Sequence, residues 1–79
     1  MMGQDDAWRA AGQRIRDARV AAGLSQEDLA IEADWDQSTL SKVERQGPHI
    51  ASFRKLEALA AALNCVVEVS FRPREAGEA

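Results

Sequence analysis

Gly23-Leu24-Ser25-Gln26-Glu27-Asp28-Leu29-Ala30 and Gln37-Ser38-Thr39-Leu40-Ser41-Lys42-Val43-Glu44-Arg45 are separated only by Ile31 to Asp36. Each block reads as a short amphipathic helix, and so brief a connection makes the second helix cross the first closely and steeply, the helix-turn-helix arrangement. Gly23 supplies the left-handed residue that ends the helix before it. Ser25 is placed to cap the next helix, its hydroxyl taking the amide of Asp28 while the Asp28 carboxylate answers in a capping box. The first block spans about Gln26 to Ala33 and turns Leu29, Ala30 and Ala33 inward. Asp34 takes the turn, since aspartate tolerates positive φ better than most residues with a Cβ. Asp36 is the N-cap expected for the helix that starts at Gln37. Leu40 and Val43 anchor that helix, leaving positions 37, 38, 41, 42 and 45 on its outer side. Amide, hydroxyl and ammonium groups there have the chemistry to hydrogen-bond base edges and phosphates.

Upstream, Trp8, Ala11, Ile15, Ala18 and Ala22 recur at spacings of three and four, the period of a helix from about Asp5 or Asp6 to Ala22. Downstream, Gln46-Gly47-Pro48-His49-Ile50-Ala51 carries the glycine and proline of a loop. Ser52 caps a fourth helix whose stripe of Phe53, Leu56, Leu59, Ala60 and Leu63 closes the core. After Asn64 the period changes to two: Cys65, Val67, Val69 and Phe71 fall on one face, and Val66, Glu68 and Ser70 on the other. A lone strand leaves a row of amides and carbonyls without partners, and nothing else in the chain reads as a second strand. Pairing with the same strand of a second copy solves this, so Val67, Val69 and Phe71 are the expected dimerisation residues. The expected organisation is one mainly α domain over residues 1–79. It comprises a four-helix core over about 5–63, a dimerisation strand over 64–72 and a loose tail over 73–79.

The chain has 79 residues, close to the size at which one core struggles to offset chain entropy, which also favours an oligomer. No apolar run approaches the roughly 18 residues needed to span a bilayer, and Asp5 and Asp6 do not suit a secretory signal, so a cytoplasmic protein without membrane contact is expected. With one cysteine, Cys65, and one histidine, His49, neither an internal disulfide nor a metal site is expected, and no cofactor is implied. The net charge of −3 is the wrong sign for indiscriminate adhesion to nucleic acid. Its distribution is uneven. Ser25 to Asp36 holds five acids and no base, whereas Gln37 to Lys55 holds four bases, Lys42, Arg45, Arg54 and Lys55, against Glu44.

Arg14-Ile15-Arg16, Arg19 and the two blocks in register resemble the phage-repressor-like (Xre/Cro) helix-turn-helix family over about Ala11 to Leu63. The strand after the last helix resembles, less specifically, the small repressors that act as antitoxins and share a sheet between subunits. The resemblance implies a four-helix lambda-repressor-like fold and a homodimer on double-stranded DNA. Gln26 would bind a phosphate at a helix N-terminus. Gln37, Ser38 and Lys42 would face base edges with Ser41 beside them, and Arg45 would face the backbone. Arg19 and Glu44 match a structural pair that ties helix 1 to helix 3. Three departures stand out: Asp34 replaces the turn glycine, Ala33 and Trp35 exchange volumes around the turn, and the loop after Glu44 is about one residue longer. The longer loop leaves His49 and Arg54 without assigned roles.

Catalysis has no support, because the only histidine sits in a Gly-Pro loop without a nucleophile and carboxylate at meaningful spacing. Two function classes follow. One is a sequence-specific DNA-binding repressor acting on an inverted repeat as a homodimer. The alternative is an antitoxin, a protein-interaction module that neutralises a toxin through the acid-rich Glu27 to Asp36 surface, with DNA binding secondary.

Overall fold

The structure, a computed structural model, describes residues 3–68 and Pro73, with Gln4 described only in its backbone. It contains α1 (Gln4–Ala21), α2 (Gln26–Ala33), α3 (Gln37–Gln46), a single 3-10 turn (Pro48–Ile50) and α4 (Phe53–Ala62). The 3-10 turn lies inside the segment read as a loop. The fold is mainly α with four helices.

Three of the four helices stop by the same device. At Gly23 (φ 75°), Asp34 (φ 59°) and Asn64 (φ 56°) the chain enters the left-handed region. In each case the next residue's amide reaches back five positions: Leu24 to the Arg19 carbonyl, Trp35 to Ala30 and Cys65 to Ala60, at 2.8 to 3.2 Å. This pattern satisfies carbonyls that a helix end otherwise leaves unpaired. At the start of α2, Ser25 Oγ accepts from the Asp28 amide at 3.0 Å and Asp28 Oδ2 accepts from the Ser25 amide at 3.4 Å, completing the capping box. Ser52 Oγ likewise accepts from the Lys55 amide at 3.2 Å and starts α4. Asp36 occupies the N-cap position of α3 but makes no side-chain cap bond, a correction to its expected role.

Leu29 of α2, Leu40 and Val43 of α3 and Leu59 of α4 are the fully buried centre of the core. Burying each such side chain contributes about 1.5–3 kcal/mol, so this cluster holds α3 from behind. Trp35 is buried beside Ala33, and its indole Nε1 donates to the Lys55 carbonyl at 3.1 Å. The indole thus joins the buried cluster that includes Ala33 while its polar edge is satisfied.

Two apolar stripes depart from the expected packing. On α1, Trp8, Ala11, Ile15 and Ala18 are half-buried, and Ala22 just past its end is exposed; among the described residues of that helix the buried one is Gly12. A Cβ at Gly12 would lie 2.5 Å from the Val43 carbonyl oxygen and 2.9 Å from that of Glu44, so α1 and α3 touch backbone to backbone there. On α4, Phe53 is 50% exposed and Leu56 half-buried, so Phe53 does not close the core within one chain. Residues 65–68 follow α4 without secondary structure, and no strand occurs among the described residues. Val67 is half-buried; Val69 and Phe71, the rest of the expected strand face, lie outside the described residues.

Candidate nucleic-acid interface

α3 is sharply two-sided. Leu40, Val43 and Glu44 are buried, while Gln37, Ser38, Lys42 and Arg45 are exposed and Ser41 is half-buried. The five outward residues share one helical face, and Arg45 Nε donates to the Ser41 carbonyl at 3.3 Å.

What fixes this helix is a polar joint at its C-terminal half. Arg19 Nε donates to Glu44 Oε2 at 2.7 Å and Arg19 Nη2 to Glu44 Oε1 at 3.1 Å, a two-pronged pair in which both side chains are largely withdrawn from water. The third prong, Arg19 Nη1, donates to the Leu24 carbonyl at 2.8 Å. Gln26 Nε2 also donates to Glu44 Oε1 at 3.1 Å. One carboxylate therefore ties α1 and the first residue of α2 onto α3, while Arg19 also holds the α1–α2 connection. Leaving such a carboxylate unpaired costs several kcal/mol. No buried side-chain nitrogen or oxygen lacks a partner among the described residues. The Arg19 guanidinium is held above its ordinary range, chiefly by hydrogen bonding to Glu44; burial opposes this and Coulomb attraction adds to it.

Gln26 thus sits half-buried at the α2 N-terminus with its amide oriented by Glu44. Helix N-terminal amides nearby are the usual setting for an anion. Arg54 is exposed on α4. His49 is exposed in the 3-10 turn and stacks on Trp8, ring centroids 4.7 Å apart. Trp8 is therefore engaged in packing against the 3-10 turn.

Three residues to which the sequence reading gave no nucleic-acid contact border the outward face. Arg9, Gln13 and Arg16 line an open concavity of about 450 Å3 with Gln26, Ser41, Glu44 and Arg45. Their spacing of four and three along α1 was the available signal, hidden because all polar positions on a surface helix look alike. A second, apolar concavity of about 640 Å3 lies between α1, the 3-10 turn, α4 and Val66 and Val67. No group of three or more metal-binding side chains occurs among the described residues, and no helix there is long and apolar enough to cross a membrane.

The arrangement of a short α2, a left-handed turn and a two-sided α3 defines a helix-turn-helix protein of the DNA-binding regulator class. A family model described as a helix-turn-helix domain matches residues 10–69, most of the chain. The chain belongs to this helix-turn-helix family, of the phage-repressor-like (Xre/Cro) type. Among solved structures, it is similar to the restriction-modification controller protein C.AhdI from Aeromonas hydrophila. The two are 40% identical with a TM-score of 0.67, over 76% of this chain and 88% of that one. A comparison with curated proteins gives no match.

Proposed function

We propose that this protein is a sequence-specific transcriptional repressor that binds an inverted-repeat operator as a homodimer. One observation carries the reading: α3 is anchored from behind by Leu40, Val43 and Glu44 and offers Gln37, Ser38, Ser41, Lys42 and Arg45 outward. A glutamine suits adenine and a lysine suits guanine O6 and N7, each good pair discriminating by about 1–3 kcal/mol. Gln26 grips a phosphate, and Arg45 reaches the backbone. The two recognition helices enter successive major grooves about 34 Å apart. The similarity to a restriction-modification controller supports control of restriction-modification genes as the regulatory setting.

Dimerisation runs through residues 64–72, with Val67, Val69 and Phe71 on the shared face. The domain plan of core, strand and tail follows from that assignment. The exposure of Glu27, Asp28, Glu32, Asp34 and Asp36 favours a second reading, an antitoxin whose acidic side covers a basic toxin. The two readings are compatible in one molecule.

Selection from a random duplex library tests the main reading. Enrichment of a palindrome with half-sites one helical turn apart is the expected outcome, and enrichment without two-fold symmetry would overturn it.

A further inference from the structure

We propose that the concavity between α1 and the C-terminal half of α3, bordered by Gln26, extends the contact with the duplex backbone to a further phosphate, with Arg9 and Arg16 as its cations beside Arg45. The inference deepens the DNA-binding reading and rests on it. Arg9, Gln13 and Arg16 occupy one face of α1, and that face meets Ser41 and Arg45 from the outward side of α3. The surface that addresses DNA therefore continues from the recognition helix onto α1 without a break.

Charge decides what this recess accepts. Three arginines border it and one acid, Glu44, lines it. That carboxylate is already occupied, taking two bonds from Arg19 and one from Gln26, so it does not offset the three cations. Arg9 lies 3.5 Å from Asp6 and Arg16 lies 4.0 Å from Asp17, but all four side chains are more than half exposed. Exposed pairs of this kind hold their members weakly, and a guanidinium exchanges such a carboxylate for phosphate, which its planar fork grips by two bonds.

The chain as a whole carries −3, so bulk attraction does not bring it to DNA. Backbone affinity has to be local, and this is a recess where cations from two helices converge. A phosphate seated there lies beyond the bases read by α3, so the site lengthens the footprint without adding sequence information.

The test uses the full chain and the operator selected by it. The double variant R9Q/R16Q is compared with wild type by binding titrations across a salt series, alongside Lys42→Ala, with thermal melting of each. The expected result is an affinity at low salt reduced about tenfold on every sequence, with the slope of log K against log salt shallower by about 1 to 2, at unchanged melting temperature. Replacing single flanking phosphates by neutral methylphosphonates should weaken wild type at one or two positions where the variant is indifferent. An unchanged slope and no such position, while Lys42→Ala still shifts base preference, would overturn the α1 site alone. Failure of wild type to bind any duplex in a salt-dependent way would overturn the DNA-binding reading with it.

Discussion

Glu44 is 4% exposed and receives three hydrogen bonds from two other elements. Glu44→Ala strands the Arg19 guanidinium, and chemical denaturation should show a loss of about 3–5 kcal/mol. The paired apolar replacement R19M/E44L should lose far less, because no buried charge is left alone; equal losses would mean that packing, not charge, dominates the joint. The sign of the Arg19 shift sets its pH behaviour. A group whose folded pKa is raised contributes fully below its unfolded value, and the contribution is lost only as pH rises through the folded one. Stability should therefore show no decline attributable to Arg19 on mildly alkaline titration. Gly12→Ala places a Cβ against two backbone oxygens of α3 and should cost about 1–3 kcal/mol in the same measurement. Asp34→Val puts a β-branched residue into the left-handed turn and should cost about 1–2 kcal/mol. Asp34 was legible because its neighbours defined a turn. Gly12 was not, because a glycine inside a helical pattern signals only lowered propensity, and what makes it necessary is the backbone of another helix.

Among the elements, the boundaries of α2 and the start of α3 were readable because Gly23, Ser25 and Asp34 each impose a local geometry that packing does not override. The stripes of α1 and α4 were readable as stripes, yet Phe53 and Ala22 are exposed. Periodicity identifies a face and says nothing of what covers it. For α3 the predictions divide by the face they touch. Lys42→Ala and Gln37→Ala should change which bases are preferred, whereas Gln26→Ala should weaken binding on all sequences alike; competition titrations on single-base operator variants separate the two patterns. Uniform loss from all three would remove the assigned roles.

For the molecule as a whole, the question is what completes a domain that leaves Phe53 at 50% and Val66 at 80% exposure around an apolar recess of about 640 Å3. A second copy is the proposed answer, and a chain ending at Leu63 should be monomeric or unfolded by sedimentation and circular dichroism; a stable dimer of that chain would contradict pairing through residues 64–72. The alternation after Asn64 pointed to such pairing, but a ladder between copies has no counterpart within one chain. The rear anchoring of α3 has a further consequence. Because Leu40, Val43 and Glu44 are the buried side chains of α3 and Gly12 meets its backbone, the outward positions form an interchangeable key. Transplanting a foreign set into them should redirect the protein to a new genomic address while its melting curve stays where it was, which is how a lineage of such switches diversifies without relearning how to fold.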